Sequence, residues 1–107
     1  MKPRIMYIEH KGDNLTGPAR IGRVTFSKTG KSIYYRGQTF HRLPQGGYKK
    51  NYYEVKTQAD YWISGPKKDG SDRLYGERVP IEIDEDAREE YWTLIRELPK
   101  QKNRKTA

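Results

Sequence analysis

The sequence predicts a small, mainly β (α+β) domain: a strongly curved antiparallel sheet or SH3/OB-like barrel with one C-terminal helix. Three observations carry this expectation. Short aromatic and β-branched runs recur between turn residues through residues 4–83. One apolar stripe at helical spacing follows near the C-terminus. The chain has 107 residues, enough for one domain with a modest core.

RIMYIE at 4–9 has apolar residues on both faces and reads as a central strand. In ARIGRVTF, Ala19 and Ile21 share one phase while Val24 and Phe26 share the other, so a β-bulge is expected at Gly22-Arg23. SKTG at 27–30 is a short hairpin loop in which Gly30 is free to take positive φ. KSIYYRGQTFHRL at 31–43 is one bent strand, or two broken at Arg36-Gly37. PQGGYKK is a loop, and NYYEVK and DYWIS are strands around a turn at 57–59. RVPIEI alternates cleanly, and Pro80, lacking an N–H, marks an edge. The sequence has no internal repeat.

Asp84 is placed to cap a helix over about 85–98, with acids in the first turn where the helix dipole favours them. Ala87, Tyr91, Leu94, Ile95 and Leu98 form its apolar stripe, and Pro99 ends it. Tyr91, Leu94 and Ile95 are expected to pack on the sheet, so that Leu94→Asp would unfold the domain. Residues 1–99 then form the domain, and 100–107 a basic disordered tail that can be removed without harm to the fold.

Leu, Ile, Val and Phe number only 18 of 107 residues. That is below the roughly 20% at which a charged chain is suspected of disorder. Nine Tyr and two Trp offset the shortage, since each aromatic buries about 150–250 Å². The core is therefore expected to be thin and aromatic. No cysteine is present, which excludes disulfides and thiolate metal sites and suits the cytoplasm. The longest apolar run near the N-terminus is four residues, too short for a signal peptide, and nothing approaches a membrane span.

The net charge of +8 is uneven: residues 84–98 carry −4, residues 100–107 carry +4, and residues 1–83 carry +8. A basic body favours polyanions, acidic proteins or anionic surfaces, although charge alone also serves solubility.

Catalytic motifs are missing. GPKKDGS at 65–71 has the glycine spacing of a phosphate-binding loop, but Ser71 stands where the lysine is needed and no helix follows. His10 and His41 lack a ligand-spaced third partner, so no metal site and no cofactor is expected. The serines and threonines lie outside any nucleophile context. The carboxylates cluster on the helix, where dipole and solvation account for them. No groups converge as a catalytic site would, so no catalytic residue is assigned and the chain is not expected to be an enzyme.

What remains is basic residues interleaved with aromatics, as in RIGRVTF, KSIYYR, GYKKNYY, YWISGPKK and DRLYG. Lys and Arg neutralise phosphates while Tyr and Trp faces stack on unpaired bases. Of the pairs Tyr34-Tyr35, Tyr52-Tyr53 and Tyr61-Trp62, alternation puts one member inside and one outside. The outer members serve to stack bases, to cover hydrophobic surface or to bind a protein partner. The candidate nucleic-acid or anion-binding residues are Lys67, Lys68 and Arg73 on the glycine-punctuated loop, with Tyr75 or Trp62 as stacking surface. Arg20, Arg23 and Arg36 on the strands complete the set. Arg73 could instead pair with Asp69 or Asp72 and be structural.

The segments RIMYIE, GPARIGRVTFSKTGKSIYYRGQTF, YWISGPKKDGSDRLYG and IEIDEDAREEYW resemble a family of short bacterial proteins of unknown function, over most of residues 4–92. Some members carry a deoxyxylulose-phosphate synthase label. A thiamine-dependent synthase needs a large multidomain scaffold, and this chain has neither that length nor a diphosphate-and-metal site. The resemblance implies a compact intracellular bacterial domain and brings no catalytic residue with it. The expected function is binding of RNA or single-stranded DNA; the alternative is a protein–protein interaction or adaptor module without catalytic activity.

Overall fold

The computed structural model describes residues 2–11, 17–45, 49–73 and 80–107. Strands β1 (Arg4–His10), β2 (Ala19–Phe26), β3 (Ser32–Tyr35), β4 (Gln38–Arg42), β5 (Tyr52–Glu54) and β6 (Asp60–Ser64) form an antiparallel meander. β6 pairs back onto β1 and closes it into a six-stranded barrel. β7 (Ile81–Ile83) lies outside the ring, parallel to the first residues of β2. A short helix, α1 (Glu85–Glu90), follows and runs into a π-helical turn at Tyr91–Ile95. The architecture is thus mainly β, strongly curved and closed, with one C-terminal helical segment, as the sequence predicts.

The phase change in β2 has a different cause from the expected bulge. Its register with β1 is unbroken from Arg4↔Val24 to Glu9↔Ala19. β2 is instead buried on both faces. Ala19 and Ile21 point outward and join Ile5, Tyr7, Ile81, Ile83 and the helical segment in one core. Val24, with Phe26 packed beside it, points into the barrel with Met6, Ile8, Ile33 and Phe40. A two-faced strand of this kind needs apolar residues in both phases. Gly22 also faces inward, and a Cβ there would run into Tyr35 and Asp84.

The aromatic pairs divide as alternation demands. Tyr35, Tyr52 and Tyr61 line the barrel interior, Trp62 packs against the outer core, and Tyr34 stands 42% exposed. A thin aliphatic complement therefore serves two cores because aromatics fill the remaining volume.

The helical segment departs most from expectation. The Arg96 N–H donates to the Tyr91 carbonyl, a bond one residue longer than in an α-helix. That rotates the following side chains off the stripe. Tyr91 and Trp92 are buried, Ile95 packs partly against the core, and Leu94 is 73% exposed. Leu94 is therefore not a core residue, and the expectation built on Leu94→Asp fails with it. Asp84 does occupy the N-cap position, but its side chain makes no cap hydrogen bond.

The last residues are ordered too, against the expected loose tail. After a 3₁₀ turn at Pro99–Gln101, Thr106 bridges Glu82, and the Ile83 and Ala107 N–H groups donate to Lys105 and Ile81 carbonyls. Trp92 Nε1 donates to the Arg104 carbonyl at 3.0 Å. Main-chain pairing to the free edge of β7 holds a segment whose side chains are almost all polar. Deleting 100–107 would uncover that edge.

Burial pushes the Tyr7 and Tyr91 phenols up, and Tyr35, buried and bonded to Asp84, is pushed up to about 12. A raised folded value favours the protonated native state. The stability it confers is complete below the unfolded value of about 10 and is lost as pH rises through the folded values. Phenolate absorbance should show these three tyrosines ionising only as the domain unfolds above about pH 11. Ionisation of all nine tyrosines near pH 10 with unchanged circular dichroism would contradict these burials.

Candidate functional site

The two ends of the barrel differ in chemistry. At one end the strand termini bring together His10, Arg20, Tyr35, Gln38 and Tyr61 around a pocket of about 320 Å³. At the other, the β2–β3 hairpin loop and the ends of β4 and β5 enclose a groove of about 780 Å³ that carries Lys31, Ser32, His41, Arg42 and Tyr53.

Register places the groove's side chains. Ser32 pairs with His41, and His41 with Tyr53, so the three form one row across β3, β4 and β5. Ile33, Tyr35, Phe40 and Tyr52 take the alternate positions inside the barrel, which leaves the row outside. His41 meets Tyr53 edge-on, with ring centroids 5.9 Å apart. The Arg42 guanidinium sits over the Tyr52 ring at 5.7 Å. Among the described residues neither Lys31 nor Arg42 forms an ion pair with a carboxylate. Gly30, at φ 75, lets the hairpin loop fold back beside the row.

The opposite end is centred on Asp84. Arg20 donates to its Oδ1 through Nε at 2.9 Å, Arg36 Nη1 does so at 3.3 Å, and the Tyr35 hydroxyl donates to Oδ2. Arg20 also pairs with Glu82. Burial against this hub explains why Asp84 begins the helix without capping it.

The residues picked from the sequence do not form one site. Arg20 and Arg36 meet at Asp84. Arg23 points to the helix instead, pairing with Glu90 at 3.1 Å and approaching Asp86. Arg73 is not an exposed anion contact: it is buried, with Nη1 donating to the Gly17 carbonyl at 3.0 Å and lying 3.6 Å from Glu9. Neither does it pair with Asp69 or Asp72. Trp62 is half-buried against the outer core, and its Nε1 donates to Ser64. Lys67 and Lys68 are exposed on the tip of a turn closed by Gly70 at φ 79. Arg96 latches that turn by donating to the Lys68 carbonyl. Tyr75 lies outside the described residues.

Two features were missed. The His41–Tyr53 row arises only from pairing register, although both residues sit in runs already noted as basic and aromatic. The second is a buried ionic cluster: Glu9 accepts from Tyr7 and from Lys11 at 3.0 Å and faces Arg73. No sequence spacing announces it. Among the described residues no cluster of three metal-ligating side chains occurs, and no helix is long and apolar enough to cross a membrane. Comparisons with protein-family models, curated proteins and solved structures found no match.

Proposed function

We propose that the protein is a non-catalytic binding domain for single-stranded nucleic acid, RNA or DNA, and that the strand lies in the groove of Lys31, His41, Arg42 and Tyr53. The observation that carries this reading is the outward His41–Tyr53 row flanked by two cations without carboxylate partners. Unpaired bases stack on such rings, and the cations neutralise adjacent phosphates. Lys67 and Lys68 are exposed and available as a second electrostatic contact, whereas Arg20, Arg23 and Arg73 are committed to acids or to the main chain.

Titrating labelled single-stranded RNA and DNA at two salt concentrations tests this. Lys31→Ala with Arg42→Ala should weaken binding and flatten the plot of log affinity against log salt by roughly 1.4, about 0.7 per lost phosphate contact. Tyr53→Ala should cost about 1–3 kcal/mol at any salt. Lys67→Ala with Lys68→Ala should have the smaller effect and leave the fold intact. If no binding occurs at low salt, or the groove variants bind as wild type, the reading fails.

A second reading, a protein-interaction module, draws on Leu94 and Leu98. These are 73% and 36% exposed. A failed nucleic-acid titration would turn attention to them.

A further inference from the structure

The pocket at the Asp84 end is built on a backbone conformation that its sequence does not favour. β3 and β4 are joined by the two residues Arg36-Gly37, with Tyr35 opposite Gln38. Their φ values are 49 and 78. Two successive positive φ values define the tight turn whose first position is normally Asn, Asp or Gly. An arginine in the left-handed region is strained, and its side chain gives that turn no local hydrogen bond of the kind Asn supplies.

What Arg36 does there is line the pocket. Asp84 holds its Nη1 and the Tyr35 hydroxyl also bonds the guanidinium, but the side chain stays 55% exposed and keeps an edge open to solvent. That edge is the fork that binds carboxylate or phosphate with two parallel hydrogen bonds. Asp84 is shared with Arg20 and the Tyr35 hydroxyl, so Arg36 reaches only one of its oxygens, at 3.3 Å. Glu82 pairs with the other side of Arg20, so two arginines face two carboxylates at this end.

The walls are aromatic and fixed. The Tyr61 ring is held edge-on by Phe40 at 4.7 Å from inside the barrel and by His10 at 5.0 Å at the rim. Ile8 contributes apolar surface, and Gln38 a polar side chain beside Arg36. At about 320 Å³ the space falls at the small end of ligand pockets, which run from about 300 to 1,000 Å³.

We propose that this end of the barrel binds a small planar anion, an aromatic or heteroaromatic ring bearing one phosphate or carboxylate. The ring lies against Tyr61 and His10, and the anionic group sits on the Arg36 fork. This site is separate from the nucleic-acid groove and stands or falls independently of it.

Two probes distinguish the anion types: phenyl phosphate and benzoate, each titrated into the ¹⁵N-labelled full chain and followed by NMR. The expected result is saturable shifts of the His10, Arg36, Gln38 and Tyr61 amides with at least one probe. Stronger shifts with phenyl phosphate assign a phosphate ligand, and stronger shifts with benzoate a carboxylate ligand. Arg36→Asn supplies the residue that the turn prefers. It should raise the melting temperature by about 3 °C and weaken the bound probe at least about tenfold. Arg36→Lys keeps the charge but not the fork, and should weaken it comparably. The proposal is overturned if neither probe shifts these amides. It is also overturned if Arg36→Asn lowers the melting temperature, which would make the Asp84 pair the reason for the arginine, or if either variant binds as wild type.

Discussion

Replacing Trp92 with alanine is expected to destabilise the domain by about 3–5 kcal/mol, against the total of about 5–15 kcal/mol of an ordinary domain. Trp92 is 1% exposed and sits in the outer core beside Tyr91, with centroids 5.0 Å apart. Its loss would leave a cavity, orphan the Arg104 carbonyl, and remove the ring between the Arg96 and Arg104 guanidinium groups, at 5.2 and 5.3 Å. Leu94→Asp, two positions on, is expected to change stability by no more than about 0.5 kcal/mol, because that side chain already stands in water. Urea denaturation of both variants checks the π-helical register directly. A straight α-helix would reverse the order, with Leu94→Asp the costly change.

The second large effect is expected at Glu9. Its carboxylate is buried beside Lys11 and Arg73, both also buried, and takes the Tyr7 hydroxyl as well. Glu9→Ala removes the acid that both cations face in a region of low dielectric, which costs about 3–5 kcal/mol. Tyr7→Phe removes only one hydrogen bond to the same carboxylate and should cost about 1–2 kcal/mol. Chemical denaturation of the two variants measures the difference. A loss below about 1 kcal/mol for Glu9→Ala would mean that water reaches the cluster and solvates the cations.

Much of the fold was legible because strand and turn signals are local. The break at Arg36-Gly37, the positive φ of Gly30 and the split of each aromatic pair into one inner and one outer member follow from residue type and alternation alone. β2 was misread because two apolar phases in one strand have two explanations, a bulge or burial on both faces. Only the presence of the helix over Ala19 and Ile21 decides between them. The helix was misread because a π turn leaves no mark in a stripe of apolar residues. The tail was misread because main-chain pairing is indifferent to side-chain polarity. The candidate site suffered from the same blindness to distance. Composition picks out arginines, but it does not show that Arg20 and Arg23 face Asp84 and Glu90, more than sixty residues away.

Within the ring, every pairing joins neighbours in sequence except that of β6 with β1, which brings Ser64 to Tyr7. The barrel therefore has one seam. Each hairpin of the meander closes a short loop, while the seam must gather the chain from end to end, and the entropy of that ring closure is met in a single late step. Folding should accordingly proceed as a succession of hairpins ending in closure, with contacts such as Ile8↔Ile63 absent from the transition state. Ile63→Val is then expected to speed unfolding and leave the folding rate nearly unchanged, whereas Ile33→Val, inside the meander, should slow folding. In the native state the seam is where the ring would first part, and its amides should exchange with solvent before those of the β3–β4 hairpin.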